Sequence, residues 1–284
     1  MEHIVEVSEV TKYYKNNLAV NNVSFKIKAG VIFGLLGTNG AGKTTTIKLL
    51  TGQLLPSKGK IKVCGLNPST QEKKLAAKIG VVTEQVSLYL DMSVENNLLF
   101  FSKLYQVKPE RVQEVMEQLG LAEYRKTKIK ALSKGYKQRV LIGRAILHDP
   151  ELIFMDEPTS GLDPNIALEI REMIVTLKEI GKTIILTTHD MNEAEELCDE
   201  VLIINRGSVA LHNNMRNIKR SRKELTIYVE TTKGRKEYSL GELHKISSLP
   251  EEEIISIYSN THTLKEIFIN QTNSKGKGNV LERA

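Results

Sequence analysis

Residues 31–50, VIFGLLGTNGAGKTTTIKLL, constrain this chain more than any other stretch. An apolar run, a glycine-rich turn and a helix start follow one another without a gap. Val31, Ile32, Phe33, Leu35 and Leu36 read as a strand buried on both faces, the kind that belongs to a parallel sheet. Gly37, Gly42, Lys43 and Thr44 fit G-x-x-x-x-G-K-[ST], with Gly40 as an extra glycine in a turn completed by Thr38, Asn39 and Ala41. Glycine accepts positive φ and lets backbone N–H groups curl closely around a phosphate. The helix behind the turn points its positive end at the anion. Lys43 then supplies a mobile charge for the β- and γ-phosphates, and the Thr44 hydroxyl is placed to ligate Mg2+.

A chain of 284 residues allows one large domain, or one domain with a small appendage. Forty per cent hydrophobic and 26% charged residues are ordinary for a soluble globular protein. No apolar run approaches the ~18 residues that span a bilayer, and the acidic start MEHIVEVSEV lacks the regions of a signal peptide, so a cytoplasmic protein is expected. Cys64 and Cys198 sit in no C-x-x-C or metal-ligand spacing and are expected to be reduced and structural. The net charge of +6 is compatible with anionic lipid or nucleic acid but establishes neither.

Ahead of the turn, IVEVSEV alternates like a half-exposed strand, and Val23, Phe25 and Ile27 mark a second. Tyr13 and Tyr14 lie between them on opposite sides of an extended chain. One offers a face on which a purine could stack, or both are simply edge-strand tyrosines. Behind the turn, Ile79, Val81 and Val82 form a strand that runs into Thr83, Glu84 and Gln85, at a strand end where open α/β sheets place their ligands. From about Ser93 to Leu147 helical periodicity takes over. Ser93 is an N-cap, and Val94, Leu98, Phe101 and Leu104 or Tyr105 share a face. Pro109 opens the next helix. Ser133 and Gly135 open another, a second potential anion site.

LIFM then ends in Asp156 and Glu157, two carboxylates at the tip of a buried strand, costly there unless used. In a protein with this phosphate loop the first suits Mg2+ and the second accepts a proton from an attacking water. The following buried strand, Ile184–Leu186, finishes in Thr187, Thr188, His189 and Asp190, which brings His189 to the same end of the sheet.

Taken together, these motifs resemble the ATP-binding subunit of an ABC transporter, over roughly residues 4–209. GTNGAGKTT, including Thr45, looks like the Walker A motif, LSKGYKQ like the family signature, LIFMDE like Walker B, SGLD like the D-loop and THD like the switch histidine. The resemblance implies an α/β P-loop NTPase with a RecA-like mixed sheet, an antiparallel β subdomain, and a helical subdomain inserted over about residues 88–148. It implies ATP and Mg2+ as cofactors, with Tyr14 stacking on adenine. Glu157 is then the catalytic glutamate and His189 the γ-phosphate sensor. Ser133 and Gly135 contact ATP bound to a second cassette in a head-to-tail homodimer or pair of close paralogues, and Asp163 couples the two sites. The signature's second-position glycine is Lys134 here, as in exporter cassettes with separate membrane subunits. The glutamine that senses Mg2+ falls near Glu84, with Gln85 one position later, and both remain candidates.

The implied function is ATP hydrolysis that energises a separate integral membrane permease, in the direction of export, from the cytoplasmic face of the membrane. A soluble cassette ATPase acting on nucleic acid or ribosomes is the alternative. Such relatives usually carry two cassettes or a long coiled coil, and neither is present in the sequence, so no nucleic-acid partner is expected. The cassette is expected over residues 1–217. Residues 218–284 form a small α+β extension: KRSRK is a basic junction, LTIYVE and IISIYS are strands, TLKEIFIN is a helix, and a polar, disordered tail begins at about Asn273.

Overall fold

A computed structural model describes residues 3–83, 88–220, 226–250, 253–260 and 264–273. The chain divides into two compact units, Met1–His212 and Asn213–Ala284.

The first unit begins with two long strands, β1 (His3–Tyr14) and β2 (Asn17–Lys28), joined by a tight turn in which Lys15 has φ 53°. After β3 (Ile32–Leu36) and α1 (Lys43–Leu50) the chain returns as β4 (Lys58–Val63), which pairs antiparallel with β1 to complete a β2-β1-β4 sheet. Alternating burial along β2 turns Val20, Val23, Phe25 and Ile27 inward, where Phe25 stacks on Phe33 of β3.

The main sheet contains β3 and five further strands: β5 (Ile79–Val82, preceded by α2, Glu72–Ala76), β6 (Leu152–Asp156), β7 (Thr183–Thr188), β8 (Glu200–Asn205) and β9 (Ser208–Asn214). Their order is β5-β6-β7-β3-β8-β9, and the pairs from β5 to β8 are parallel. All five residues of β3 and all six of β7 are buried, as expected of strands covered on both faces. β9 was not apparent in the sequence. It follows β8 through the two-residue turn Arg206–Gly207, both at positive φ (49° and 79°), the conformation that matches the twist of a hairpin.

Between β5 and β6 lie α3 (Val94–Leu104), α4 (Pro109–Gln118) and α5 (Lys134–Ile146). Ser93 caps α3 by accepting from Asn96 N, and Pro109 occupies the first turn of α4. The inward face of α3 differs from the expectation. Val94 and Leu98 are buried, but Leu104 is 63% exposed and Tyr105 is also exposed. Asn97 and Ser102 are buried instead. Asn97 turns inward because its side-chain amide answers three backbone groups, accepting from Tyr89 N (2.9 Å) and donating to the carbonyls of Tyr89 (3.0 Å) and Ser93 (3.1 Å). After β6, α6 (Pro164–Glu179) and α7 (Met191–Leu197) complete the unit.

The second unit begins with α8 (Met215–Arg220) and contains an antiparallel sheet in the order β11-β10-β12. β10 (Thr226–Thr231) and β12 (Ile254–Asn260) match the two expected strands, and α10 (Leu264–Asn273) the final helix. A third strand, β11 (Gly234–Ser239), and the short α9 (Leu243–Ile246) come in addition. Ile227, Val229 and Ile246 form the small core. The Arg235 guanidinium stacks 3.8 Å from the Tyr228 ring centroid. The expected tail beyond Asn273 and most of KRSRK lie outside the described residues.

Candidate active site

The glycine-rich turn is wedged between two strands. A Cβ at Gly37 would stand 2.6 Å from the Ile204 carbonyl oxygen of β8, and one at Gly42 2.7 Å from that of Ala19 in β2. Gly42 also has φ 113°, which an L side chain rarely adopts. The β8–β9 turn clamps the same place: Gly207 N donates to Ala41 O (2.9 Å), and Asn21 N donates to Gly207 O (2.8 Å). Lys43 is only 7% exposed, and its Nζ folds back to donate to Gly37 O at 2.7 Å.

Strand register carries the remaining groups to the turn. Leu36 at the end of β3 lies opposite Thr188, and Asp156 at the end of β6 lies opposite Thr187. Three neighbouring parallel strands therefore release Gly37, Glu157 and His189 at one edge. Asp156 Oδ1 accepts from the Thr187 hydroxyl. Glu157 leaves the strand at φ 51°, a left-handed conformation uncommon outside glycine, with its N–H donating to both Thr187 O and Thr187 Oγ1 at 3.1 Å. Its carboxylate then lies 2.7 Å from His189 Nδ1 and 4.0 Å from Lys43 Nζ. Burial pushes the Glu157 carboxyl above the usual carboxylate range; His189 and Lys43 pull it back, and Asp156 adds to the rise. A carboxylate held in this way is a better proton acceptor than an exposed one.

These groups line one open cleft of about 870 Å3. Of the residues singled out in the sequence, Tyr14, Thr38, Asn39, Gly40, Gly42, Lys43, Thr44, Thr45, Asp156, Glu157 and His189 line it. Gly37 and Ala41 support it from behind through the bonds above. Tyr13 does not reach it. Ser160, the first residue of SGLD, also lines it, as do Asn17, Leu18, Ala19, Arg206 and Gly207, and no sequence signal short of the tertiary fold marks these last five.

Ser133, Gly135 and Asp163 do not line this cleft; they lie at the starts of α5 and α6. Ser133 caps α5 by accepting from Tyr136 N (3.3 Å), and Asp163 caps α6 by accepting from Ile166 N (3.1 Å). The two helix starts touch, because a Cβ at Gly135 would stand 2.4 Å from Ile166 Cγ2. Lys134, at the signature's departing position, donates from Nζ to Ser160 O at 2.6 Å and so ties the start of α5 to the SGLD turn. Glu84 and Gln85 lie outside the described residues.

The donor set fits a magnesium nucleotide. Thr44 and Asp156 offer one hydroxyl and one carboxylate to an open cleft that also presents Lys43 and a helix start. Mg2+ favours such a site, since it keeps waters and phosphate oxygens in its octahedron. Among the described residues no group of three or more His, Cys, Asp and Glu side chains forms an all-protein metal cage.

A strand, a phosphate-cradling turn, a lysine and two strand-end carboxylates beside a histidine define a P-loop nucleotide-hydrolysing domain. The family model for ABC transporters matches residues 20–160. A linearmycin resistance ATP-binding protein of Bacillus subtilis (strain 168) is 40% identical over 210 residues, covering 72% of this chain and 68% of that protein. A Nod factor export ATP-binding protein I of Rhizobium johnstonii is 40% identical over 207 residues, 72% and 67% of the two chains. The solved structure of cbiO1 from Clostridium perfringens, part of the ABC transporter complex cbiONQ, superposes with a TM-score of 0.71 at 30% identity, over 77% of this chain and 91% of that one. The chain belongs to the ABC transporter family as an ATP-binding subunit. It is an ATPase whose hydrolysis is coupled to transport.

Proposed function

We propose that two such cassettes, identical or closely paralogous, pair head to tail around two ATP molecules and drive a permease carried on separate chains, in the direction of export. The observation that carries the pairing is the division of the family's residues between two places. Lys43, Asp156, Glu157 and His189 share the cleft, whereas Ser133, Gly135 and Asp163 share the α5–α6 corner outside it. A corner whose hydroxyl and helix start do not line the chain's own cleft is suited to completing the cleft of a partner. Export is supported by the relatives, one named for resistance to linearmycin and one for Nod factor export.

In the closed pair Tyr14 stacks on adenine, and the backbone of residues 37–42 holds the phosphates. Lys43 neutralises charge on the β- and γ-phosphates, and His189 senses the γ-phosphate. Thr44 and Asp156 hold Mg2+, which when bound polarises the phosphates and screens their charge. Glu157 accepts a proton as water attacks, and the partner's Ser133 and Gly135 hold the γ-phosphate from the far side. Hydrolysis removes the group that bridges the two cassettes, the pair reopens, and the permease resets. Such a subunit works at the cytoplasmic face of the membrane. No helix among the described residues is long and apolar enough to cross it, which suits attachment through the permease.

The test is to isolate the Glu157→Gln variant with ATP and Mg2+ from detergent-solubilised cells of its source. A closed pair that brings down a polytopic membrane protein is the expected result. Recovery of ribosomes or nucleic acid alone would overturn the reading.

A further inference from the structure

We propose that Thr187 is a positioning residue that aligns the two carboxylates of the cleft through its hydroxyl. The inference rests on the roles given above to Asp156 and Glu157. Thr187 is completely buried in the sheet, where a valine of the same shape would satisfy the strand equally well. A buried hydroxyl is costly unless bonded, and this one uses both of its capacities. It donates to Asp156 Oδ1 and accepts from Glu157 N–H at 3.1 Å.

The first bond fixes the rotation of the carboxylate that faces the metal position. The second helps hold Glu157 in its left-handed conformation, from which the carboxylate reaches His189 Nδ1 at 2.7 Å. One side chain on β7 therefore sets the relative placement of two groups that leave β6 as consecutive residues. Without it, Glu157 N–H retains only the Thr187 carbonyl, and Asp156 loses the neutral donor that orients it.

The experiment compares Thr187→Val, Thr187→Ser and Thr187→Ala in the full chain. Turnover is measured directly. The Mg2+ midpoint for ATP binding at equilibrium is measured in a Glu157→Gln background, where nothing is hydrolysed. Thr187→Val is expected to lower kcat about tenfold with a smaller change in KM. It should also raise the Mg2+ midpoint several-fold, with Thr187→Ser close to wild type in both measurements. Should Thr187→Val fail to fold, Thr187→Ser and Thr187→Ala decide, because both lack the methyl group and differ only in the hydroxyl.

Wild-type behaviour of Thr187→Val, or equal impairment of the serine and alanine variants, would overturn the inference and leave Thr187 a packing residue. Asp156→Asn is the reference. If it leaves the Mg2+ midpoint unmoved, the role of Asp156 fails and the inference falls with it. If it moves the midpoint and Thr187→Val does not, only the inference falls.

Discussion

Replacing Gly80 by alanine separates two opposing effects whose sizes follow from the structure. Gly80 sits in β5 where α5 crosses it. An added Cβ would lie 2.3 Å from the Ala145 carbonyl oxygen, 3.1 Å from its carbon and 3.3 Å from Ala145 Cβ. Ordinary carbon–oxygen contacts are ~3.4 Å, so strand and helix must separate by about 1 Å. The obstacle is backbone, and Val140, Leu141, Ile142, Ala145 and Ile146 anchor the helix, each at most 3% exposed. Overpacking of this kind costs ~1–3 kcal/mol. Working against it, alanine restricts the unfolded chain and returns ~0.4–1 kcal/mol. No backbone strain enters, since Gly80 is not at positive φ. The steric cost wins, leaving a net loss of about 1–2 kcal/mol, or a midpoint lower by about 2–8 °C for a unit of this size. Thermal unfolding of the purified protein reads this directly. Gly30 is the contrast: nothing lies within 4 Å of an added Cβ, but φ is 75°. Asparagine, which tolerates that conformation, should be accepted better than alanine at Gly30 and worse than alanine at Gly80. An unchanged or higher midpoint for Gly80→Ala would refute the close approach of α5 to β5.

Two other perturbations have definite signs. His148 stacks on Tyr105 with centroids 4.1 Å apart, and its Nε2 lies 2.9 Å from Ile79 O. Burial lowers its pKa, with Lys182 adding to the effect and Ile79 O and Asp149 opposing it. The neutral ring therefore stabilises the fold above the ordinary histidine value of ~6.5, and that stability is lost as pH falls below it. His148→Gln should show a smaller fall in unfolding midpoint than wild type between pH 7.5 and 5.5, and equal falls would sink the argument. Tyr14 is 42% exposed, so Tyr14→Ala should leave the fold intact and weaken ATP binding about tenfold, as loss of base stacking does. Tyr14→Phe should bind as wild type, and a fluorescent-nucleotide titration that ranks the two variants equally would remove Tyr14 from the site.

What could be read in advance follows from how local each constraint is. Gly37 to Thr44 were legible because a phosphate turn is built by consecutive residues whose glycines and lysine announce the geometry. Asp156, Glu157 and His189 were legible because buried strands show as apolar runs and their polar ends face the ligand side of the sheet. Asn17–Ala19 and Arg206–Gly207 were not, since they come to the cleft only when the β2-β1-β4 sheet and the β8–β9 hairpin close around Gly42. β11 escaped for another reason: GRKEYS is almost wholly exposed, so no alternating apolar signal exists to read. On α3 the apolar period pointed to Leu104 and Tyr105, but Asn97 binds three backbone groups and so turns a different stripe inward, because unanswered buried carbonyls and N–H groups cost more than an exposed leucine gains. Thr187 joins both cases. Its place at the strand end was visible, yet its bonds to Asp156 and Glu157 depend on the register of β6 against β7, which two apolar runs of similar composition do not fix by themselves. Residue identity therefore reveals chemistry where the chain folds back on itself within a few residues, and conceals it where a hydroxyl on one strand serves two consecutive residues at the end of its neighbour.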